Sequence, residues 1–249
     1  MLKFYTILPD NDHVGGARQA TKISIALKEM DEEFETIDLD RRREVRPLGT
    51  EYRKNVNPNG RVPAIDDGGF IMWEAGAILN YLVESRPLGQ RIMPTETQAR
   101  ARVQQWTYWE GTTVTPDMIT LMALVIGSDP QAFGSADTET LRLAAGCSYL
   151  PLMGGPNQER ALAYAKDQYH RDLEILDGAL RGKDYVVDDF SIADIALGVA
   201  IPIPVLSGFD YKRYGNVVRW LNRLEQRPSF RATPSFVNHM QTGRAKGLM

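Results

Sequence analysis

The sequence contains few cysteines and histidines, and it has no excess of positive charge. The single cysteine, Cys147, excludes an intrachain disulfide framework and a cysteine-rich zinc site. The three histidines, His13, His170 and His239, are far apart in the chain, so a cluster of protein metal ligands is not expected. With 29 Lys and Arg against 32 Asp and Glu, the net charge is −3, which provides no general attraction to nucleic acid or to an anionic membrane.

Long apolar runs are absent as well. No stretch reaches the roughly eighteen residues that a membrane-spanning helix needs. The N-terminal residues 1–5 lack a signal-peptide pattern and read directly as a strand. We therefore expect a cytoplasmic protein without metal, nucleic-acid or membrane partners. The 249 residues, 43% of them hydrophobic, suffice for one or two domains with buried cores.

The most informative stretch covers residues 57–82, NPNGRVPAIDDGGFIMWEAGAILNYL. Residues 57–60 form a turn cluster, and residues 61–65 read as a short strand. Pro63 interrupts that strand, because proline cannot donate a ladder hydrogen bond. Such a proline is often a cis residue or an edge residue, and it leaves the neighbouring backbone open to a ligand.

A hairpin and a helix follow directly. The tight turn at residues 66–69 predicts a returning strand at residues 70–73. A helix is predicted to begin at Glu74, since its apolar residues recur at i, i+3, i+4 and i+7: Ala75, Ile78, Leu79 and Leu82. A helix N-terminus suits an anion, and the glutamate beside it suits a cation. A ligand that carries an ammonium and a carboxylate on one carbon matches this pair.

Val62-Pro63 before a hairpin, followed by residues 74–78 (EAGAI), resembles the glutathione-binding half of cytosolic glutathione transferases. The pattern is of bacterial type, with the lignin β-etherases and the Ure2p-like or Nu branches as candidate branches. The resemblance implies that the Val62 backbone pairs with the cysteinyl part of glutathione beside a cis proline. It also implies that Glu74 and Ala75 hold the γ-glutamyl end, and Arg61 is a further glutathione-binding candidate.

The sequence departs from the family at Ala75, where serine is usual. A hydroxyl contact to the γ-glutamyl carboxylate is therefore missing, although the backbone amide remains. A lost hydrogen bond to a charged group costs roughly 1.5–3 kcal/mol when nothing replaces it.

The order of elements around this stretch predicts the fold. A strand at Leu2–Leu8, a helix at Thr21–Met30 and a strand at Phe34–Leu39 imply a right-handed parallel βαβ unit. Together with the hairpin and helix, this order resembles the thioredoxin-like fold of the named family. A basic loop is predicted from Arg41 to Asn57, either simply solvated or attracting an anionic ligand.

The resemblance implies a two-domain chain. Residues 1–85 form the α/β thioredoxin-like glutathione-binding domain, residues 86–96 form a linker, and residues 97–249 form an all-α domain that carries the acceptor-substrate pocket.

Helical patterns run through this second part. We predict helices at residues 97–124 and 160–180. A capping box at Ser191 and Asp194 opens a buried helix, and its role is structural. A last core-facing helix carries four apolar residues, and residues 232–249 are predicted to be a surface tail. Those four residues are Val217, Trp220, Leu221 and Leu224.

Because glutathione brings its own thiol, the protein has to stabilise a thiolate. In the family, the turn before the first helix carries serine, tyrosine or cysteine, and in some branches asparagine. Here, in residues 15–22 (GGARQATK), Gln19 falls near the asparagine position of the β-etherases, and Arg18 adds positive charge. These two residues are the catalytic candidates. Thr21 and Tyr5 are the hydroxyl alternatives, although Thr21 fits a helix start and Tyr5 fits strand packing.

An aromatic segment at Trp106, Tyr108 and Trp109 is the candidate for binding the second substrate, since such a ligand needs an apolar pocket. The alternative for both tryptophans is a place in the core. Tyr108 lies on a different helical face from the tryptophans. The pocket candidates are Tyr108, Trp109 and Met118.

Three functions fit these observations. The first is a glutathione transferase-like enzyme that acts on a small hydrophobic electrophile by conjugation, ether cleavage or dehalogenation, with glutathione as cosubstrate and no metal. The second is a non-catalytic glutathione-binding or interaction module on the same fold. The third is a glutathione-dependent disulfide reductase or peroxidase. The resemblance also implies a homodimer.

Overall fold

The computed structural model describes residues 1–8, 18–128 and 157–249. The chain divides into two compact units, one formed by Met1–Gln104 with Phe190–Ile195 and the other by Gln105–Asp189 with Ala196–Met249. The predicted loop at residues 9–16 and the stretch around Cys147 lie outside the described residues.

The first unit contains a mixed four-stranded sheet. Its strands occur in the order β2-β1-β3-β4, with β1 and β2 parallel and the other two pairs antiparallel. The strands are β1 (Leu2–Thr6), β2 (Phe34–Asp38), β3 (Ala64–Asp67) and β4 (Phe70–Trp73). β4 therefore forms one edge of the sheet, and the predicted hairpin is confirmed.

Three helices accompany the sheet: α1 (Arg18–Glu29), α2 (Glu51–Asn55) and α3 (Ala75–Ser85). The predicted start of α1 at Thr21 is wrong, because the helix begins at Arg18. Arg18 and Gln19 are thus in the first helical turn rather than in a preceding loop. The predicted start of α3 agrees with the structure, where Glu74 occupies the N-cap position immediately before Ala75.

The predicted basic loop from Arg41 to Asn57 is wrong in part, since it contains a π-helical turn at Arg41–Val45 and the helix α2. The Asp40 carboxylate accepts hydrogen bonds of 2.8 Å from the backbone N–H groups of Arg42 and Arg43. Side-chain caps of this kind satisfy N–H groups that a helix start leaves unpaired, which is what allows such short turns to form.

The core of the first unit lies between the sheet and helices α1 and α3, which pack against each other. Its large, fully buried side chains come from all three elements: Ile23, Ile25, Leu27, Met30, Ile65, Ile78 and Leu79. A second buried cluster lies under the start of β3 and contains Ile7, Leu39, Val45, Tyr52 and Ala64.

The rest of the described chain is helical, and the predicted fold class, an α/β part followed by an all-α part, is confirmed. The elements are α4 (Thr97–Trp109), a π-helical turn (Glu110–Val114), α5 (Thr115–Ser128), α6 (Gln158–Ala179), α7 (Ile192–Ala200), α8 (Gly215–Glu225), α9 (Pro228–Arg231) and α10 (Pro234–Ala245), with a short 3₁₀ segment at Ile203–Ser207. The single helix predicted over residues 97–124 is therefore interrupted, because the Thr115 N–H bonds back five residues to Glu110.

The predicted surface tail at residues 232–249 is wrong. α10 begins with Pro234 in its first turn, a position where a missing N–H costs nothing. Its residues Phe236 and Met240 are buried, and the Phe236 ring meets Phe230 edge to face at 4.9 Å between ring centroids. Packing against its neighbours, rather than local periodicity, makes this segment part of the core.

The predicted capping box at the start of α7 is present in a modified form. The Asp194 carboxylate accepts from the backbone N–H of Ser191 at 3.0 Å and from its hydroxyl at 3.2 Å. Both residues are buried, so the bonds satisfy polar groups that have no access to water.

Candidate functional site

The open end of the β3–β4 hairpin brings two candidate residues together. Ala64 of β3 is paired with Trp73 of β4 in the ladder. Pro63 precedes Ala64 and Glu74 follows Trp73, so both residues lie one step beyond the last pair, at the same end of the hairpin. Because residues of an antiparallel pair such as Ala64 and Trp73 are separated by about 5 Å, the two chain segments leave the ladder close together.

Glu74 has an unusual backbone conformation, with φ of +76° and ψ of 113°. For a residue with a Cβ atom this conformation costs about 1–3 kcal/mol, and such strain concentrates at functional sites. The Glu74 side chain is exposed and makes no capping hydrogen bond to α3. Its carboxylate therefore stands at the end of the hairpin, where it can receive a ligand's ammonium group.

The first turn of α3 follows Glu74 directly. It contains no acidic side chain, and Ala75 is 5% exposed. The amide groups of an α-helix's first turn have no partners within the helix, and the helix dipole favours an anion there. The site thus combines one carboxylate with a helix N-terminus, which suits the two charged groups of an amino-acid moiety.

The opposite side of the site is the segment Arg61-Val62-Pro63. The Val62–Pro63 peptide bond is cis. The ladder begins at Ala64, so Val62 lies beyond it with its side chain packed against the buried cluster under β3. An extended backbone at the end of a sheet can pair with a peptide ligand in the manner of an added strand.

Two residues that the sequence interpretation missed hold this segment in place. The carbonyl oxygen of Arg61 accepts hydrogen bonds from the Tyr52 hydroxyl at 2.6 Å and from the Asn57 amide at 2.8 Å. Both donors are buried, and burial raises the pKa of Tyr52, so the phenol keeps its proton. Asn57 belonged to a recognised turn, but only tertiary structure reveals that its side chain points to Arg61.

Gly60 allows this arrangement because it has φ of +59° and lies close to the preceding π-helical turn. A Cβ atom at this position would be 2.6 Å from the carbonyl oxygen of Val45. Backbone atoms cannot move away as a flexible side chain could, so a larger residue is excluded. The close approach keeps α2 and the Arg61 segment against the same buried cluster.

A network of charged and polar groups fastens the hairpin to α3. The Tyr81 hydroxyl donates to the Asp67 carboxylate at 2.6 Å, and Arg86 contacts the same oxygen at 2.8 Å. Arg86 also lies 2.9 Å from a carboxylate oxygen of Glu32, as an ion pair without hydrogen-bond alignment. The Tyr81 hydrogen bond, followed by the Arg86 contacts, lowers the pKa of Asp67, and that same bond raises the pKa of Tyr81. These contacts fix the orientation of α3, and therefore of its N-terminus, relative to the hairpin.

The catalytic candidates Arg18 and Gln19 begin α1, the helix that follows β1 in the chain. Both side chains are half-buried. β1 is paired with β3 so that Tyr5 lies opposite Ala64, and the C-terminal end of β1 is therefore at the same end of the sheet as Pro63 and Glu74. The start of α1 follows this end of β1 in the chain, after residues 9–17, which lie outside the described residues.

The three acceptor-pocket candidates differ in exposure. Tyr108 is 59% exposed, Trp109 is half-buried, and Met118 is only 3% exposed. Trp109 meets Trp106 edge to face at 5.1 Å between ring centroids, and neither tryptophan is fully buried. Tyr108 offers the most surface to a ligand, whereas Met118 packs in the interior of the helical unit.

The described residues contain neither a candidate metal site nor a candidate membrane span. No group of three or more His, Cys, Asp or Glu side chains among them is arranged to hold a metal ion. None of the helices described is both long and apolar enough to cross a membrane.

Comparison with known protein families matches both parts of the chain. Residues 13–84 match the family "Glutathione S-transferase, N-terminal domain", and residues 142–228 match the family "Glutathione S-transferase, C-terminal domain". The first match spans the candidate site from Arg18 to Glu74 and Ala75.

Individual relatives agree with these matches. The chain is 25% identical to glutathione S-transferase F10 of Arabidopsis thaliana over 176 residues. The aligned region covers 69% of this chain and 70% of that protein. Its fold is similar to that of glutathione transferase E6 from Drosophila melanogaster, with a TM-score of 0.69, 20% identity, and coverage of 100% of this chain and 99% of that one. It is also similar to that of Ure2p in complex with glutathione, with a TM-score of 0.68, 21% identity, and coverage of 93% and 97%.

The two matched domains, the sequence relatives and the fold are mutually consistent, and they support a glutathione-binding, transferase-like function. The chain belongs to the glutathione S-transferase family.

Proposed function

We propose that this protein binds glutathione at the open end of the β3–β4 hairpin and activates its thiol for attack on a small hydrophobic electrophile. The observation that supports the proposal is that Pro63 and Glu74 both adjoin the last ladder pair of the hairpin, Ala64 and Trp73, beside the N-terminus of α3. The γ-glutamyl ammonium group is placed at the Glu74 carboxylate, and its carboxylate at the Ala75 amide. The cysteinyl backbone is placed along Val62, and Arg61 is placed beside the same ligand.

The thiolate is assigned to the start of α1. A helix N-terminus and a nearby donor or cation lower a thiol pKa from about 8.5. Gln19 supplies an amide donor and Arg18 a positive charge, in a first turn that has no acidic side chain. Neither position carries the serine, tyrosine or cysteine that is usual in the family. The attack itself forms a bond from sulfur to an electrophilic carbon, which loses a leaving group or opens a strained ring or double bond.

The acceptor is assigned to the helical part of the chain, with Tyr108, Trp109 and Met118 as its contacts. This division, with residues 1–85 for glutathione and residues 97–249 for the acceptor, is part of the proposal. Among the possible reactions, ether cleavage of the β-etherase type remains a candidate on the strength of the amide side chain at Gln19.

The test is isothermal titration calorimetry with glutathione on the wild type and on Glu74→Ala. Loss of a charge-assisted contact predicts affinity at least tenfold weaker in the variant. Glu33→Ala is the matched control, since Glu33 is an exposed glutamate in another loop. Equal affinity in all three proteins would overturn the assigned site.

A non-catalytic binding module is the second candidate, because Ala75 replaces the usual serine and the start of α1 lacks the usual thiolate-stabilising side chain. Ultraviolet titration of bound glutathione separates the two functions. A thiol pKa well below 8.5 supports the enzyme, whereas a pKa near the free value supports the module.

A further inference from the structure

Two carboxylic acids meet inside the helical unit. Asp117 lies on α5 and Asp172 on α6, and these two helices pack against each other. Asp172 is only 3% exposed and Asp117 is half-buried, and the two carboxyl groups are close enough for each to influence the pKa of the other. Because an ionised carboxylate only accepts hydrogen bonds, the two groups form a hydrogen bond with each other only when one of them carries a proton.

The environment of Asp172 favours its protonated form. Its Oδ2 atom is buried without a hydrogen-bond partner. An ionised carboxylate with an unpaired, buried oxygen is costly, and a second carboxylate at contact distance adds repulsion. Burial, followed by the neighbouring Asp117, raises the pKa of Asp172 to about 7, and burial also raises the pKa of Asp117.

The surrounding elements supply no compensating cation among the described residues. The π-helical turn that packs against both helices adds a further acid, the buried Glu110, and the 3₁₀ segment packed on α5 has no ionisable side chain. α8, packed on α6, carries Arg219, Arg223 and Glu225. Arg219 donates hydrogen bonds to Asn216 and to backbone carbonyls. Arg223 pairs with Asp184, and Glu225 pairs with Arg244.

The other titratable groups of α6 are either exposed or have partners elsewhere: Glu159, Arg160 and Lys166 are exposed, and His170 contacts the Tyr214 hydroxyl at 2.6 Å. Asp167 pairs with Arg171, Glu174 pairs with Arg213, and Asp177 accepts hydrogen bonds from Asn216 and Val217. None of these contacts involves Asp117 or Asp172. The electrostatic balance of the two carboxyl groups is therefore set by each other and by burial.

We propose that Asp117 and Asp172 form a proton-dependent latch between α5 and α6. With one proton shared between the two carboxyl groups, the helices are held together by a hydrogen bond. When that proton passes to solvent, two anions face each other, and the half-buried Asp117 turns toward water while the helix contact loosens. Asp117 immediately precedes Met118, so the latch acts on the segment that carries a proposed acceptor contact. The latch itself does not depend on glutathione binding.

The direction of the pH dependence follows from proton linkage. The packed state binds its proton with a pKa raised to about 7. In the opened state an aspartate returns to a value near 4. Between these values the packed state holds more protons than the opened state, so the latch weakens as the pH rises from about 4 to about 7 and changes little above that. Where this pH dependence is steepest, the equilibrium constant for opening rises about tenfold per pH unit.

Hydrogen exchange measured from pH 5 to pH 8 tests the latch on the full chain. After correction for the intrinsic exchange rate, the protection factors of amides in α5 and α6 should fall by up to about tenfold per pH unit up to pH 7 and then level off. Asp172→Asn keeps a donor toward Asp117 but cannot ionise, so it should abolish this dependence. Asp167→Asn, an exposed aspartate on the same helix, should leave it intact.

Carbon-13 spectra of aspartate-labelled wild-type protein provide a measurement that needs no variant. The latch predicts one interior carboxyl group that titrates near pH 7, together with a linked change in its partner. Two carboxyl groups that both titrate near pH 4, or protection factors that follow pH equally in wild type and Asp172→Asn, would overturn the proposal. Neither result would bear on glutathione binding, which has its own calorimetric test.

Discussion

The phenolic hydroxyl of Tyr52 donates a hydrogen bond of 2.6 Å to the carbonyl oxygen of Arg61. This bond connects α2 to the residue that precedes Val62 and Pro63. A one-turn helix therefore fixes the backbone along which the cysteinyl part of glutathione is proposed to lie. The site depends on how this segment is held as well as on the residues that face the ligand.

Tyr52→Phe should weaken both folding and glutathione binding. Removing the hydroxyl leaves the Arg61 carbonyl with Asn57 as its remaining side-chain donor, and the free energy of unfolding should fall by about 1 kcal/mol. Glutathione affinity should fall several-fold, because the Val62 segment loses part of its preorganisation. Urea denaturation and calorimetry measure the two effects. Tyr164→Phe, at an exposed tyrosine, is the control, and equal losses in both variants would contradict the role of Tyr52.

Ala75→Ser should strengthen glutathione binding by at least about tenfold. The new hydroxyl supplies the hydrogen bond to the γ-glutamyl carboxylate that the sequence lacks, which is worth about 1.5–3 kcal/mol when made to a charged group. Calorimetry measures the gain, with Ala163→Ser on the exposed face of α6 as the control. Unchanged affinity would show that the carboxylate is bound elsewhere.

Gln19→Ala and Arg18→Ala should each raise the thiol pKa of bound glutathione toward about 8.5. Gln19→Ala removes an amide donor and Arg18→Ala removes a positive charge, so the effect of Arg18→Ala should shrink at high salt and that of Gln19→Ala should not. Ultraviolet absorbance of the thiolate across pH measures both. Gln98→Ala, on α4, serves as the control. An unchanged thiol pKa in both variants would exclude these residues as the thiolate-stabilising groups.

Asp67→Asn should destabilise the protein at neutral pH and much less in acid. The Tyr81 hydrogen bond and Arg86 lower the pKa of Asp67, so its ionised form stabilises the fold above pH 4 and loses this effect as the pH falls below that value. We expect a loss of about 1 kcal/mol at pH 7 that shrinks toward pH 3, measured by urea denaturation. Asp188→Asn, at an exposed aspartate, should show no such trend. A difference that grows in acid would contradict this reasoning.

The predicted homodimer would explain why the edge strand β4 exposes apolar side chains. Phe70, Ile71 and Trp73 are 51%, 40% and 38% exposed on this edge strand. If a second copy covers them, Phe70→Ser should weaken self-association by at least tenfold in sedimentation experiments. Leu48→Ser, at an 84% exposed leucine, should have no effect. A monomeric wild type would remove the prediction altogether.

The hairpin and α3 were predictable because their signals are local. Gly68 and Gly69 mark the turn, and both adopt positive φ angles of 64° and 97°. The apolar spacing after Glu74 gives the helix its buried face. The short helix α2 was missed since a single turn has little intrinsic stability and depends on its Thr50 cap and on the burial of Tyr52. Thr50 before Glu51 was the one local signal available.

Long-range contacts account for the other differences. The segment from Pro234 to Ala245 carries only scattered apolar residues, yet Phe236 and Met240 are buried, and the helix packs against the 3₁₀ segment some thirty residues earlier. The pairing of Asp117 with Asp172 is likewise invisible in sequence, where the two are more than fifty residues apart. Local patterns identified the sides of the candidate site, whereas the groups that hold it in place required the folded chain.

A crystal structure of the protein soaked with glutathione tests the central proposal most directly. We expect the cysteinyl backbone to pair with the Val62 backbone, the γ-glutamyl ammonium to contact the Glu74 carboxylate, and the γ-glutamyl carboxylate to accept from the Ala75 amide. Glutathione bound away from the open end of the β3–β4 hairpin, or bound there with Glu74 making no contact, would contradict it.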